Sequence, residues 1–159
     1  MNEMFLVMTA LLLGQSVSAH EITVKMLLNP ASSFEAKSAK LKGEVKKDKV
    51  TYTAENLWVK IEDLKTDITL RDEHFHKHLN FEKTPKITFT KVAATAGKGS
   101  GTLTVNGIPK VVAFTYKEIS PKRLEAFMKV KPSDFKLAEA KYMGIGVEDE
   151  VEVTTLIDI

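Results

Sequence analysis

Residues 50–61 read VTYTAENLWVKI, and this short run carries two hydrophobic registers. Val50, Tyr52 and Ala54 fall on one parity, Leu57, Val59 and Ile61 on the other. Successive side chains of a strand point to opposite faces, so one flat strand cannot bury both sets on the same side. A bulge near Glu55-Asn56 reconciles them. The preceding run, Phe34 to Val45, changes parity in the same way: Phe34 and Ala36 are even, Leu41 and Val45 odd. That predicts a bulge or sharp bend near Ser38–Lys40. Long strands that switch face are what strongly curved sheets need.

Strand signals continue in both directions. Ile22, Val24, Met26 and Leu28 alternate with mostly polar neighbours, and Asn29-Pro30 marks a turn. Lys46 to Lys49 reads as a polar turn. Further strands are expected at 87–92, 101–105, 111–119, 123–130 and 151–159, with turns at Gly97–Gly101, Asn106-Gly107, Ser120-Pro121 and Lys131-Pro132. Asn-Gly between short strands is a strong hairpin signal. The expectation is an all-β chain: about eight antiparallel strands in a hairpin-connected meander, closed into a barrel because closure removes exposed edges.

One helix interrupts this pattern between strands 3 and 4. Residues 69–80, TLRDEHFHKHLN, hold three of the four histidines within five positions. Thr69 and Asp72 have capping-box spacing. At about 100° per residue, Leu70, Arg71, His74, Phe75, His78 and Leu79 share one half of the wheel, facing the body of the protein. Asp72, Glu73, His76 and Lys77 share the other, which predicts that His76 points to solvent. His74 and His78 have the i, i+4 spacing of a metal pair. No third ligand lies near in sequence, however, and Arg71 repels a cation. A hydrogen-bonded polar cluster is the better reading, with no metal.

Composition narrows the function. The chain has 159 residues and no cysteine, which excludes thiol chemistry, disulfides and Cys-based metal sites. Residues 4–14, MFLVMTALLLG, followed by QSVSA, read as a signal peptide spanning 1–19, with Val17 and Ala19 at the cleavage positions. The n-region MNE lacks the usual basic residue. The apolar run is too short to span a bilayer, which takes roughly 20 residues. Export to the periplasm is expected, with an extracellular destination left open. Cleavage would leave a domain over 20–159 beginning at His20. Twenty-one of the 23 basic residues are lysine, dispersed among acids as a solvated surface, so no nucleic acid is implied. No G-x-S-x-G, phosphate loop or carboxylate pair is present. Met143-Gly144-Ile145-Gly146 precedes a strand and is no dinucleotide fingerprint. No catalytic residue is assigned, and no enzyme is expected.

Two segments are more specific. Leu64-Lys65-Thr66-Asp67-Ile68-Thr69-Leu70-Arg71-Asp72-Glu73-His74, then Lys83-Thr84-Pro85-Lys86-Ile87-Thr88-Phe89, resembles the signature of the YceI-like family. Phe34-Glu35-Ala36-Lys37-Ser38, Leu41-Lys42-Gly43, Gly101–Lys110, Ser133-Asp134-Phe135 and Gly144–Val147 with Asp149–Val151 extend the likeness over the mature chain. It implies an exported, lipocalin-like barrel, some members of which hold a polyisoprenoid or another long amphiphile. Arg71, Asp72 and His74 match the motif, which implies that they tie the helix to the barrel mouth. His76 and His78 lie outside it, and Asp67 stands where glycine is common.

The expected function is therefore binding, carriage or sequestration of a long apolar lipid, with no cofactor beyond that ligand. Val24, Met26, Phe89, Phe114, Met128 and Val153, from the apolar strand faces, are the expected lining. A filled core would show the same alternation. Two rivals stay open: a structural or stress-related protein without a small ligand, and a weak metal handler using His20 or His74 and His78. A homodimer is also left open.

Overall fold

The computed structural model describes residues 20–28, 32–139, 141–142 and 145–159. The segment 1–19 expected as a signal peptide, the turn expected at Asn29-Pro30, and Met143-Gly144 lie outside the described residues. The chain forms β1 (Glu21–Leu28), β2 (Ser32–Ser38), β3 (Lys46–Asp48), β4 (Thr51–Lys60), α1 (Thr69–His78), β5 (Lys86–Thr95), β6 (Lys98–Val105), β7 (Ile108–Ser120), β8 (Arg123–Val130), β9 (Lys141–Tyr142) and β10 (Ile145–Asp158). Short 3₁₀ turns at Ile61–Asp63 and Pro132–Phe135 follow β4 and β8.

The face change in β4 is real. Tyr52 and Ala54 are buried, then Leu57 and Val59, with Glu55 and Asn56 exposed between them. Its pairs with β5 nevertheless keep one register, from Thr51↔Thr95 to Lys60↔Lys86. The slip falls instead between β5 and β6, at Thr90/Ala93, where Lys91 has φ +53°. Two neighbouring strands thus change face together, which coils the sheet rather than distorting one strand.

All strands pair antiparallel, in the order β2-β1-β10-β8-β7-β6-β5-β4-β3, with β9 paired only to β10. The all-β antiparallel sheet is as expected, but sequence neighbours pair in an unbroken row only from β3 to β8, and the closed eight-stranded barrel is not formed. Nine strands lie on the path among the described residues, and β2 and β3 stand at its two ends. The cause lies in the bend at Ser38–Lys40. It ends the second run at β2, and the chain between there and β3 touches β4 through an isolated Lys42↔Trp58 bridge. At Gly43, φ is +118° and a Cβ would stand 2.3 Å from the Asn56 carbonyl oxygen. Only glycine passes so close to β4 in that conformation.

Two turn expectations also change. Lys46 to Asp48 is strand, and the turn moves to Lys49-Val50. The glycines after Ala96 are mostly inside β6 rather than in a loop. Gly99 leaves space for an aromatic ring, since a Cβ there would come 2.4 Å from Phe114 Cζ. Asn106-Gly107 is the hairpin turn its sequence signals, with both residues at positive φ.

Inward-facing residues align across strands. Val24 pairs with Val153, and Val153 with Met128, so one apolar row crosses β1, β10 and β8. Phe135, Ile61, Leu64 and Val59 are the most deeply buried large side chains.

Candidate functional site: an apolar chamber under a tethered helix

The helix is held by the segment before it. Lys65 bridges to Lys37 of β2 through two backbone hydrogen bonds of 2.8 and 2.9 Å, which fixes residues 64–66 against the sheet edge. Thr66 is buried and bonds α1 through every polar group it has. Its N–H and hydroxyl each donate to Asp72 Oδ1 at 2.6 Å, and its carbonyl accepts from Arg71 Nη2 at 2.6 Å. Burial alone would raise the Asp72 carboxyl, but the side-chain and backbone bonds from Thr66 outweigh it and hold it below its ordinary value. Asp67, at φ +67°, lets the chain turn between this strap and the helix. A glycine suits that conformation without strain.

Asp72 therefore does not cap the helix. The N-cap residue is Ile68, without a side-chain cap, and the Asp72 carboxylate reaches back to Thr66 instead. His76 is also corrected: it is buried at 8% exposure, and its Nε2–H donates to the Leu64 carbonyl at 2.6 Å. Its ring sits between Phe75 and Phe81, at 6.1 and 6.0 Å. His74 is exposed and makes none of the tethering bonds among the described residues, so the anchoring role expected of it belongs to His76. Leu70, placed on the inward half by the helical wheel, is 61% exposed. The wheel fails because α1 packs on two sides, over the chamber and against residues 64–66. Beyond the helix, Asn80 Nδ2 donates to Asn106 Oδ1, and Asn106 Nδ2 to the Phe135 carbonyl, both at 3.0 Å.

Beneath the helix lies a cavity of about 830 Å³. Val24, Met26, Phe89, Phe114, Met128 and Val153 all border it, as do Arg71, His74 and His78. Asp72 does not. Aromatic rings form part of the wall, with Phe89 to Phe114 at 5.8 Å, Phe114 to Tyr116 at 6.5 Å and Tyr116 to Tyr52 at 5.5 Å. Most exposed lining residues fall on α1 (His74, Lys77) and on the stretch 133–149 (Ser133, Ala138, Glu139, Lys141, Glu148, Asp149), with Thr53 of β4 apart from them, which puts an opening at these two segments. Arg71 lies at this end, its guanidinium 4.7 Å from the centre of the Phe34 ring. Burial lowers His78 from its ordinary pKa, so its imidazole is neutral near pH 7. Asp149 fixes the opposite rim by accepting from the Ser133 N–H at 2.9 Å and from the Ser133 hydroxyl.

The donor set does not favour a metal. No cluster of three His, Asp or Glu side chains suited to one occurs among the described residues. His20 is buried, and its ring is occupied: Nε2–H donates to the Gly43 carbonyl at 2.9 Å, and Nδ1 accepts from the Asp158 N–H at 3.2 Å. Chelation there would break the bond to β10. Sequence reasoning missed Thr66, buried in the segment before α1, and Tyr52, buried and bordering the cavity. A threonine just before a helix and a tyrosine on an inward strand parity were the available signals.

The whole is an all-antiparallel fold with a helix over an apolar chamber. The sequence matches the YceI-like domain over residues 15–159, and the chain belongs to that family. Among curated proteins nothing matches. Solved structures share the fold. Burkholderia cenocepacia BcnA superposes with TM-score 0.70 at 18% identity, over 87% of this chain and 94% of that one. A polyisoprenoid binding domain from Saccharophagus degradans implicated in plant cell wall breakdown gives 0.64 at 16%, covering 88% and 95%. A mutant CJ YceI protein with a monobromobimane guest gives 0.65 at 21%, covering 80% and 85%.

Proposed function

We propose that this protein is a non-enzymatic carrier or sequestering protein for a long apolar lipid of the polyisoprenoid type, acting after export to the periplasm. The cavity carries the proposal: about 830 Å³, apolar along its walls, with charged and imidazole groups gathered at its opening. That distribution suits an amphiphile whose tail is inside and whose head group stays at the rim. Each CH₂ moved from water into such a space contributes about 0.8 kcal/mol, so a long tail can offset the cost of association. Membership of the YceI-like family, and a neighbour that is itself a polyisoprenoid binding domain, support the same reading.

The test is solvent extraction of natively purified protein followed by mass spectrometry. A stoichiometric isoprenoid or other long-chain amphiphile is expected. Protein that yields no lipid, and takes up none from solution, would refute the assignment. N-terminal sequencing of the protein recovered from the periplasm should begin at His20; a start at Met1 would refute export through this signal.

A further inference from the structure

We propose that Tyr52 is the floor of the chamber and sets the length of tail that it shelters. The proposal rests on the lipid-binding reading above. Tyr52 and Val59 both border the cavity from β4, and seven residue steps of strand separate them by roughly 23 Å. Val59 lies at the helix end, so Tyr52 marks the end remote from the opening. It sits two positions from the Lys49-Val50 turn, yet it is only 4% exposed.

Three contacts hold its ring in place. Tyr116 packs edge-on at 5.5 Å and 79°, Lys47 Nζ stands 5.3 Å from the ring centre, and the hydroxyl donates to Glu118. Glu118 is half exposed and does not border the cavity, and Lys47 meets it at 3.8 Å. The hydroxyl is thus held by Glu118, which follows Phe114 and Tyr116 on the same face of β7, while the ring borders the ligand space. Leu124 and Ile157, both buried and paired across β8 and β10 next to Glu118, add apolar surface at this end. The terminal methyls of a tail find a stiff aromatic stop here. A longer tail has to fold back or protrude at the opening.

The experiment measures affinities of wild-type protein for a series of polyprenols of increasing length, alongside three variants. Tyr52→Ala opens the floor, so affinity for the longer probes should rise by about fourfold for each additional methylene sheltered. Tyr52→Phe keeps the ring and should keep the wild-type length profile. Ala94→Leu, on the residue paired with Tyr52 across β4 and β5, raises the floor and should shift the optimum to shorter probes. It also covers the case in which Tyr52→Ala does not fold. A length profile that none of these changes alters would overturn the floor while leaving lipid binding intact. Wild-type protein that binds no probe would overturn both.

Discussion

Thr66 directs both of its donors, the backbone N–H and the hydroxyl, to one oxygen of Asp72, each at 2.6 Å. A buried residue of the strap is thereby locked to the first turn of the helix that roofs the chamber. Removing the acceptor leaves the Thr66 N–H unsatisfied, so Asp72→Ala should cost about 1–3 kcal/mol. The bond also carries a pH signature. Asp72 has its carboxyl lowered in the fold, so the contribution is complete above the unfolded value of about 3.9 and is lost as pH falls through the folded one. Thermal melts between pH 3 and pH 7 should show wild type and Asp72→Ala converging at the acid end; a constant gap would refute the coupling.

His76 and His74 are two positions apart on α1 but differ in kind. His76→Ala removes a buried ring and strands the Leu64 carbonyl, for an expected loss of about 2–4 kcal/mol. His74→Ala, at an exposed site, should stay within about 0.5 kcal/mol of wild type. Urea denaturation of the two variants decides the matter, and equal effects would contradict the assignment of the anchor.

His78 is half-buried at the chamber rim and titrates below its ordinary value. As pH falls through roughly 6.5, the unfolded chain takes up its proton before the folded chain does, and stability declines until the lower folded value is passed. His78→Gln should remove that slope. A titration of stability that is identical in the variant would count against it.

His20 is a stitch between β10 and the loop at Gly43. His20→Ala should lower the melting temperature, with about 1–3 kcal/mol lost. Binding of Cu(II) or Zn(II), measured calorimetrically on chelator-washed protein, should be weak in both forms. Tight stoichiometric binding that disappears with His20 would reverse this view.

Met128 faces the cavity from β8, in the row with Val153 and Val24. Met128→Trp should occupy ligand space, abolishing lipid uptake while the melting temperature holds. In a filled core the same change would be overpacking, at about 1–3 kcal/mol. Early melting with unchanged uptake would show that the space near Met128 is not ligand space.

Much of this is legible in the sequence. The face change in 50–61, the bend at Ser38–Lys40 and the Asn106-Gly107 hairpin follow from strand periodicity and turn chemistry, which are local properties. The same periodicity put Val24, Met26, Phe89, Phe114, Met128 and Val153 on inward faces, because a period of two leaves little choice once a strand is recognised. What periodicity could not say was whether those faces met each other or enclosed a space; that depends on how the sheet coils, and the tertiary structure supplied the cavity.

The tertiary structure alone decided the rest. A helical wheel assumes one buried side, and α1 has two, so His76 went inward while Leu70 stayed exposed. The partner of Asp72 could not be read from capping spacing, because Thr66 becomes available only after Lys65 is pinned to β2. The open path between β2 and β3 has a similar origin. A local bend was visible in the sequence, but whether its two arms join one ladder depends on how close the chain at Gly43 can come to β4. Local pattern determines which face a residue shows, whereas contacts between distant segments determine what that face meets.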